Sequence, residues 1–483
     1  MRMLINGDWV DAIGGAVIEI RNPSTGELID TTPAATTADT DRAIAAANVA
    51  KEAMASMPAH RRSTILHAVV SRIRANRDDL VRLLNLENGK TFREIDGWEI
   101  EAAARIMEGY AEEAKRLHGE SVPLHAIPNL ENSIAITLYQ PLGVVAAIVP
   151  FNYPVELWSH KIAGALAAGN AVITKAPEEC PLTILTISRY FEEAGLPSGA
   201  HQCLTGYGEI VGARLAEAAG VDMISMTGST EVGKSIARAA AETLKKVHLE
   251  LGGNDATIIC ADVDPELAAA AIVAGRFTSG NGQICCAVKR VFVAREIYEA
   301  VKKHVIEKTS KLKTGDHTSP DTDVGPMITL AAAERVEAQI KKAVAEGATL
   351  LIGGTRRDQF ITPTVLVDVA SDNVVMREEV FGPVLPLVPF DTLEEAVQLT
   401  NASQYGLQAA IFTNDLRAVM NASMKLEVGT VIINHQTAMR IESLPFGGRK
   451  MSGNGGREGY MNTLKDMSST KTIVIKNAYQ IYS

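Results

Sequence analysis

The chain has 483 residues, a formal net charge of −10 and a hydrophobic fraction of 46%. It is too long for one ordinary hydrophobic core, so we expect two or three domains. The acidic balance argues against a nucleic-acid-binding protein, whose footprint is a basic surface.

The first residues lack the basic start and apolar run of a signal peptide, and no apolar stretch reaches the ~20 residues of a membrane helix. Five cysteines are too few for a disulfide framework in a chain of this size. Neither paired CxxC motifs nor an HExxH helix is present, so a metal site has little support. We therefore expect a cytoplasmic protein that binds neither membrane nor metal.

The N-terminal part of the sequence is predicted to be helical. Between residues 40 and 90, apolar side chains recur at spacings of three, four and seven, which is typical of amphipathic helices. A further helix is predicted over residues 99–117. Residues 132–139 then alternate in the manner of an exposed strand, which Pro141-Leu142-Gly143 ends.

From residue 144 onward, strands alternate with helices across short loops. The predicted strands are 144–149, 171–175, 202–205, 223–226 and 247–251, and the predicted helices are 155–168, 182–194, 231–241 and one after Gly208. This alternation indicates a doubly wound α/β sheet, in which ligands bind at the carboxyl ends of the strands. Four residues lie at or just past such ends, and we expect them to share one crevice: Asn152, Lys175, Gly228 and Glu250. His201 and Cys203 are interpreted as strand residues.

A second α/β pattern begins after Gly253, with strands near residues 256–260, 290–293, 384–389 and 430–433. The tail, residues 468–475, alternates like a strand. An isolated strand exposes unpaired backbone groups, so this strand and the one at 132–139 each need a partner. They can pair with each other or extend the sheet of a neighbouring subunit, which predicts a homo-oligomer.

Gly280-Asn281-Gly282-Gln283-Ile284-Cys285-Cys286 is a glycine-rich loop that a small molecule could reach. A nucleophilic cysteine must be a thiolate, which needs a positive potential such as a helix N-terminus. The alternative is a buried, inert cysteine, which is the commoner outcome for a cysteine taken alone.

Glu250 ends an apolar strand and precedes two glycines. Desolvation there would raise its pKa toward that of a general base, whereas a structural role is the alternative. Asn152 lies between Pro150 and Pro154, which would hold its amide as an oxyanion donor. The alternative is an ordinary turn asparagine.

The segment Met226-Thr227-Gly228-Ser229-Thr230-Glu231-Val232-Gly233 runs from a strand into a helix. Backbone N–H groups at a helix N-terminus suit a pyrophosphate. The spacing is neither GxGxxG nor a P-loop. An ordinary helix cap at Ser229 or Thr230 is therefore the alternative.

Taken together, these four motifs resemble the aldehyde dehydrogenase superfamily, and the resemblance covers essentially the whole chain. Eight segments match in order: PFNYP at 150–154, KAPE at 175–178, TGSTEVG at 227–233, ELGG at 250–253, GQIC at 282–285, EEVFGP at 378–383, YGL at 405–407 and PFGG at 445–448. One segment departs from the family form SGxGRE, since residues 452–458 read SGNGGRE and are one glycine longer.

The resemblance implies an α/β fold with a doubly wound cofactor domain, an α/β catalytic domain and a small β extension for oligomerisation. The implied NAD-binding domain is 1–124 with 142–250, the catalytic domain is 251–450, and the oligomerisation strands are 125–141 and 465–483. The protein would be a homodimer or homotetramer acting on a small-molecule aldehyde.

By the same resemblance, Cys285 adds to the aldehyde carbonyl, and the Asn152 side chain and the Cys285 backbone N–H hold the oxyanion. Hydride transfer to nicotinamide then leaves a thioester, which water activated by Glu250 hydrolyses. Covalent catalysis splits one difficult step into two easier ones. Cys286 is interpreted as a packing residue.

Lys175 and Glu178 match the positions that contact the adenosine ribose. A carboxylate accepts hydrogen bonds from the ribose hydroxyls and repels a 2′-phosphate, so Glu178 indicates NAD, although Lys175 would tolerate NADP. The resemblance assigns the remaining contacts as follows: Gly228 and Ser229 to the pyrophosphate, Glu379 to the nicotinamide ribose, Phe381 to the ring edge, the Leu251 backbone to the carboxamide, and Phe151 and Gly208 as further cofactor contacts.

Residues 434–445 are similar to the branch that acts on lactaldehyde and other small hydroxy- or anion-bearing aldehydes. Arg440 lies where a bidentate donor could face a substrate anion, and an ion pair with Glu442 or another loop acid is the alternative. Arg105, on a predicted helix, is a second candidate. Ile284 stands where members that use phosphorylated substrates often carry arginine, which weakens that option.

Three other interpretations remain. A CoA-acylating semialdehyde dehydrogenase commonly lacks the hydrolytic glutamate, so Glu250 argues against it. A non-redox cysteine hydrolase needs a histidine partner, and none lies in the motif segments near Cys285, although His248 should point the same way as Glu250. A catalytically silent relative would have lost Cys285, Glu250 or Asn152, and the sequence keeps all three.

Overall fold

The computed structural model describes residues 1–479. Its strands, in chain order, are β1 (Met3–Ile5), β2 (Asp8–Val10), β3 (Val17–Arg21), β4 (Leu28–Pro33), β5 (Ser121–Val122), β6 (Ile134–Pro141), β7 (Val144–Ile148), β8 (Ala171–Lys175), β9 (His201–Leu204), β10 (Met223–Thr227), β11 (Lys246–Glu250), β12 (Ala256–Ile259), β13 (Arg290–Ala294), β14 (Thr349–Ile352), β15 (Arg356–Arg357), β16 (Phe360–Ile361), β17 (Thr364–Val367), β18 (Val384–Phe390), β19 (Tyr405–Gly406), β20 (Gln408–Phe412), β21 (Thr430–Ile433), β22 (Arg449–Lys450) and β23 (Ser468–Ile475).

The α-helices are α1 (Thr37–Ser56), α2 (Ala59–Ala75), α3 (Arg77–Asn88), α4 (Phe92–Glu94), α5 (Ile100–Glu113), α6 (Pro154–Ala168), α7 (Leu182–Glu193), α8 (Ala213–Glu217), α9 (Thr230–Ala241), α10 (Pro265–Val273), α11 (Tyr298–Thr309), α12 (Leu330–Ala345), α13 (Val374–Arg377), α14 (Leu393–Asn401), α15 (Leu416–Lys425) and α16 (Tyr460–Asp466). Three π-helical turns lie at Ile95–Glu99, Gly208–Gly212 and Ala274–Thr278, and three 3₁₀ turns lie at Leu124–Ala126, Gly280–Gly282 and Arg295–Ile297.

The first sheet has the strand order β11-β10-β7-β8-β9-β1-β2. Its first five strands are parallel, and β1 and β2 run antiparallel at one edge. Every residue of β7, β8 and β10 is buried, because apolar clusters cover both faces of the sheet. Their continuous apolar runs are therefore those of doubly covered parallel strands.

The second sheet has the order β14-β17-β18-β13-β12-β20-β21 and is parallel except for β14. It has its own apolar cores on the two faces. The third sheet joins β23, β6 and β5, and β23 pairs with β6 from Ser468 opposite Pro141 to Ile475 opposite Ile134. The predicted strands at 132–139 and 468–475 thus pair with each other within one chain.

The domain bounds stay a prediction, and the first two sheets lie within the ranges assigned to the cofactor and catalytic domains. The third sheet includes Ser121–Val122, just outside the predicted 125–141. Residues 480–483 of the predicted segment 465–483 lie outside the described residues. No helix within residues 1–479 combines the length and apolarity needed to cross a membrane.

The predicted strands of the first sheet are observed to within two residues, and His201 and Cys203 do lie in a strand. The sequence analysis missed the hairpin of β1 and β2 because each strand has only three residues. Asn6 and Gly7 connect them with φ values of 57° and 81°. An Asn-Gly pair at positive φ is typical of a type I′ hairpin turn, and this signal could have revealed the strands.

Candidate active site

The strand ends of the first sheet bring four predicted residues to one edge. The neighbouring parallel strands β11, β10, β7 and β8 end at Glu250, Thr227, Ile148 and Lys175. Asn152 follows β7 by four residues and Gly228 follows β10 directly. Because carboxyl ends of parallel strands meet at the same edge, these residues lie along one edge of the sheet.

The loop before Cys285 is held rigidly by its own polar side chains. Asn281, at φ 53°, donates to the Gly89 carbonyl at 2.9 Å and accepts from the Gly325 N–H at 2.7 Å. Gly282 has φ 75°, and a Cβ there would lie 2.7 Å from the carbonyl carbon of Gly382. Glycine is required at this position, so the loop glycines serve close packing as well as access.

Cys285 and Asn152 line the same cavity, which has a volume of about 530 Å³. The Asn152 side chain is buried, and its Nδ2 donates to the Gln283 carbonyl at 3.0 Å. An amide nitrogen carries two N–H groups, so the second remains available to a ligand. The Asn152 amide, which lies between Pro150 and Pro154, is therefore held by a backbone carbonyl of the loop that carries Cys285.

The cations near Cys285 are side chains rather than a helix N-terminus. Within the described residues, no helix begins at Cys285. Lys289 Nζ lies 2.6 Å from the Cys285 carbonyl oxygen, and Arg440 lines the same cavity. The hydrogen bond with Cys286 and burial raise the pKa of Cys285 well above its usual value, although Lys289 opposes them. Cys286 itself is 4% exposed and packs in a small apolar cluster, and it also lines the cavity.

Glu250 is buried at the end of β11 but does not line the cavity of Cys285. His248 Nε2 lies 3.3 Å from its Oε1, which confirms that the two side chains share one side of the strand. Its Oε2 is buried with no hydrogen-bond partner in residues 1–479. Burial raises the pKa of Glu250 and the hydrogen bond from His248 opposes that shift.

The turn after Glu250 connects the carboxylate to the cysteine loop. A Cβ on Gly253 would lie 2.7 Å from the Cys285 carbonyl oxygen, so the two backbones are in contact. The Gly253 N–H donates to Glu379 Oε1 at 3.1 Å, and Lys289 forms an ion pair with the same carboxylate. Glu250 therefore lies three residues before the backbone contact between Gly253 and Cys285.

The predicted adenosine-ribose contacts lie together. Glu178 Oε1 accepts from Lys175 Nζ at 2.7 Å and from the Gly208 N–H at 2.6 Å. Ser229 caps helix α9, since its Oγ accepts from the Val232 N–H at 3.3 Å. The cap interpretation of this segment is correct, and it leaves the helix N-terminus facing the same strand edge, where an anion is favoured.

The predicted nicotinamide contacts also lie near one another. The rings of Phe151 and Phe381 meet edge to face at 6.0 Å, and Lys289 Nζ lies 5.6 Å from the Phe381 ring. Glu379 contacts Gly253, two residues after Leu251. The Glu178 carboxylate and the capped N-terminus of α9 thus follow the first sheet's strand ends, and the Glu379 carboxylate contacts the turn after β11, an arrangement that fits a dinucleotide.

Arg440 lines the cavity of Cys285 and is paired with a loop acid, which is Glu458 and not Glu442. Its Nη2 donates to Glu458 at 2.7 Å, its Nε lies 3.8 Å from Glu156, and its guanidinium stacks on Phe446 at 4.3 Å. The Arg440 Nε is buried without a hydrogen-bond partner among the described residues. Arg440 thus forms an ion pair with Glu458 and also lines the cavity.

Arg105 does not line this cavity. It donates to Glu442 through Nε at 2.9 Å and Nη2 at 2.7 Å. Its guanidinium lies 5.1 Å from the ring of Trp98, which is a cavity residue. Arg105 therefore acts on the cavity only through Trp98.

A buried ion network supports Arg440. Lys161, which is fully buried, lies 2.7 Å from Glu458, whose side chain is 3% exposed. Burial alone would raise the pKa of Glu458, but Lys161 and Arg440 outweigh it and hold that pKa well below its usual value. Sequence reasoning missed this network because Lys161 and Glu458 are 297 positions apart.

Sequence reasoning also missed several cavity residues on the N-terminal side, namely Arg93, Glu94, Trp98, Tyr153 and Glu156. Trp98 lies in the π-helical turn Ile95–Glu99 that precedes α5. Such turns occur frequently at functional sites. No pattern in a single sequence distinguishes a π-turn from a regular helix, so this wall could not be predicted.

Residues 9–473 match the Aldehyde dehydrogenase family. The chain belongs to this family. It is 41% identical to the 3-sulfolactaldehyde dehydrogenase of Priestia megaterium, over 98% of the chain and 97% of the relative. It is 38% identical to the lactaldehyde dehydrogenase of Methanococcus maripaludis, over 98% of the chain and 100% of that relative.

Solved structures support the same assignment. An E. coli NADP dependent enzyme superposes with a TM-score of 0.95 at 36% identity, over 98% of each chain. An NAD-dependent aldehyde dehydrogenase from Sinorhizobium meliloti also gives 0.95, at 33% identity, over 100% of this chain and 95% of that one. The predicted fold and enzyme class are confirmed: the protein is an oxidoreductase of the aldehyde dehydrogenase fold, and it uses NAD or NADP.

Proposed function

We propose that this aldehyde dehydrogenase oxidises a small anion-bearing or hydroxy aldehyde to its carboxylic acid with NAD and water, through a thioester on Cys285. The observation that carries the proposal is one cavity whose wall contains Cys285, Asn152 and Arg440. A nucleophile, an oxyanion donor and an anion receptor on one wall are what such a substrate needs.

In the first step, the Cys285 thiolate adds to the aldehyde carbonyl. The free N–H of Asn152 is available for the oxyanion, because only one of its two is used by Gln283. A rigidly held donor stabilises developing charge without reorganisation. Lys289 and Arg440 favour the thiolate form against the effect of burial.

The cofactor-binding residues would be those on the sheet edge. Glu178 would accept hydrogen bonds from the adenosine ribose hydroxyls and Ser229 would lie at the pyrophosphate, with Glu379 at the other ribose. When bound, the nicotinamide accepts the hydride that the tetrahedral adduct releases. The carboxylate of Glu178, held by Lys175 and Gly208, repels a 2′-phosphate and thus favours NAD over NADP.

Glu250 acts in the second step as the general base for the water that hydrolyses the thioester. Its buried, unpartnered Oε2 is the atom that takes the proton. A CoA-acylating enzyme would not need this carboxylate. Membership of an oxidoreductase family removes the cysteine hydrolase alternative.

The substrate anion would bind at Arg440. The cluster contains two cations, Lys161 and Arg440, and two carboxylates, Glu458 and Glu156. Arg440 lines the cavity, and its buried Nε has no hydrogen-bond partner among the described residues. This free donor is the group that would bind a sulfonate or carboxylate.

The names of the two similar enzymes support this substrate class, since sulfolactaldehyde carries both a sulfonate and a hydroxyl and lactaldehyde carries a hydroxyl. Trp98, Tyr153 and Phe446 line the cavity around Cys285 with aromatic rings.

The third sheet is the proposed surface for a homo-oligomer. Ile473 and Ile475 of β23 are 38% and 50% exposed, and Ile134 and Leu138, on the same face of β6, are 36% and 41% exposed. An apolar sheet face with a free edge is a template for a second copy of the chain.

The main test is NADH formation with and without the nucleophile. We expect Cys285→Ser to lose turnover on every aldehyde while NAD still binds, because the thioester cannot form. Cys286→Ser is the matched control and should retain most activity. Normal turnover by Cys285→Ser would overturn the covalent mechanism.

A second test addresses the anion. Arg440→Leu should raise KM for sulfonated or carboxylated aldehydes by one to two orders of magnitude and leave KM for neutral aldehydes nearly unchanged. Arg105→Leu removes the same chemistry outside the cavity, so any effect should be smaller and independent of substrate charge. An equal effect of Arg440→Leu on neutral aldehydes would refute the anion site.

A further inference from the structure

We infer that His248 is a positioning residue for Glu250: a charged imidazole anchored by Asp466 holds the Glu250 carboxylate ionised at its place behind the Cys285 cavity. The inference rests on the proposed function, because it takes Glu250 to be the general base. It assigns a role to a histidine that the catalytic steps above do not use.

The first observation is a continuous chain of polar contacts along one side of β11. His248 and Glu250 are two positions apart in a strand, so both side chains project to the same face. His248 Nε2 lies 3.3 Å from Glu250 Oε1, and its Nδ1 lies 2.6 Å from Asp466 Oδ2. His248 is 3% exposed, whereas the side chain of Asp466 is 24% exposed. The chain thus runs from the buried base toward solvent.

The second observation is that the longer glycine loop closes over His248. A Cβ on Gly456 would lie 2.5 Å from His248 Nδ1, so the imidazole packs directly on the loop backbone. Asn454 attaches this loop to β11, since its Oδ1 accepts from the Leu249 N–H at 3.0 Å and its Nδ2 donates to the Val247 carbonyl at 2.7 Å. The segment SGNGGRE, which departs from the family form, therefore accommodates and fixes this ring.

The charges around His248 favour its cationic form. Glu250 faces it from its own strand, Asp466 from the end of α16, and Glu458 acts on it from the loop behind. Lys246 pairs with Asp466 at 2.7 Å and Lys161 with Glu458, whereas Arg457, next to Gly456, donates to the Gly448 and Gly456 carbonyls. Burial alone would lower the pKa of His248, but the hydrogen bonds with Asp466 and Glu250 outweigh it and raise that pKa to about 9.

A cationic His248 donates through both ring nitrogens, to Asp466 and to Glu250. Its charge and its hydrogen bond lower the pKa of Glu250, whereas burial raises it. A protonated carboxylate cannot accept a proton from water. The imidazolium therefore favours the ionised form of the base and holds one of its two oxygens, while Oε2 has no hydrogen-bond partner among the described residues.

His248→Gln tests this inference, because glutamine keeps a hydrogen-bond donor but removes the charge. We expect an unchanged first burst of one NADH per active site, since thioester formation does not use Glu250. The rate after the burst should fall roughly tenfold at pH 7, and its acidic limb should move up by about one pH unit. His67→Gln, in a surface His–Glu pair with a distance of 2.8 Å, is the matched control and should behave as the parent.

Gly456→Ala perturbs the His248 ring from the loop that packs on it and leaves every charge in place. The added methyl should displace His248 and shift the pH profile in the same direction. In the His248→Gln background it should have little further effect, because the clashing ring is gone. This double-variant cycle separates a specific contact of the ring from general damage to the loop.

Each outcome bears on one conclusion. A normal burst with a pH profile identical to the parent in His248→Gln would overturn the positioning role and leave the thioester mechanism intact. Additive losses from Gly456→Ala and His248→Gln would also overturn it. Failure of the parent enzyme to form NADH from any aldehyde in a single turnover would instead refute the proposed function.

Discussion

The two sides of the active site hold their charges in different ways. At the predicted adenosine end of the cofactor side, the partners are close in sequence: Lys175 pairs with Glu178 three residues later, and Ser229 caps the helix that it begins. On the substrate side, Lys161 pairs with Glu458 at 297 positions distance, and Arg440 with the same carboxylate.

The charged side chains of the two sides also differ in how deeply they are buried. The Glu178 side chain is 28% exposed, whereas the side chains of Lys161 and Glu458 are 0% and 3% exposed. A partly solvated pair contributes little to stability, while a buried pair is costly to break because it leaves an uncompensated charge. The Lys175–Glu178 pair of the cofactor side can thus rearrange when a ligand binds and leaves. The Lys161–Glu458 pair of the substrate side keeps its charges in fixed positions.

The largest effect should follow from breaking the buried network. We expect Glu458→Gln to reduce the free energy of unfolding by about 3–5 kcal/mol, because Lys161 remains fully buried without its counter-charge. Urea denaturation at fixed protein concentration measures this as a lower midpoint with an unchanged slope.

Glu178→Gln is the matched change on the cofactor side. The variant replaces a glutamate that also pairs with a lysine but is more exposed than Glu458. The free energy of unfolding should therefore fall by no more than about 1 kcal/mol. Equal losses for the two variants would show that the contrast between the two sides does not exist.

The next effect concerns pH. The pKa of His248 is raised to about 9 in the folded chain, against an ordinary value of 6.5. Its contribution to stability is therefore fully present below pH 6.5 and is lost as pH rises through 9. The loss amounts to about 3 kcal/mol and is measured as the difference in urea midpoint between these two pH values. His248→Gln should remove this alkaline dependence, and a dependence that persists in the variant would assign it to another group.

Sequence reasoning predicted the cofactor side better than the substrate side for the same physical reason. Strand ends, a helix cap and the KAPE segment are local patterns, and they correctly placed Glu178 beside Lys175 and Ser229 at the start of α9. The apolar runs of β7 and β8 likewise predicted the doubly covered sheet.

The substrate side depends on contacts that no local pattern encodes. An ion pair of Arg440 with Glu442 or another loop acid was one expectation, but the sequence could not say which acid: Glu442 binds Arg105, and Glu458 binds Arg440. The pairing of carboxylates with cations across hundreds of residues is decided by packing of α6 against the C-terminal loop, which a single sequence does not reveal. Glu250 was placed on the correct strand, yet its place behind the cavity wall follows from the contact with His248.

A smaller effect is expected from changing the Glu178 carboxylate, which is 28% exposed on the cofactor side. Glu178→Gln removes the negative charge that would face a 2′-phosphate while keeping the shape of the side chain. We expect the NAD-to-NADP ratio of kcat/KM to fall by roughly tenfold, equivalent to about 1.4 kcal/mol, mainly through better use of NADP. Glu179→Gln, at the next position, is the control and should leave the ratio unchanged.

The smallest effect concerns the cap of α9. Ser229→Ala removes the hydrogen bond to the Val232 N–H and should lower the free energy of unfolding by about 1 kcal/mol. The freed N–H groups remain at the helix N-terminus, so they stay available to a pyrophosphate and NAD affinity should change by only a few-fold. Thr230→Ala, which removes a hydroxyl bonded to the Met451 carbonyl instead, should not alter NAD affinity. If Ser229→Ala abolished NAD binding with no loss of stability, the hydroxyl itself would be the ligand contact, and the cofactor side would depend on a single side chain rather than on the backbone of a helix.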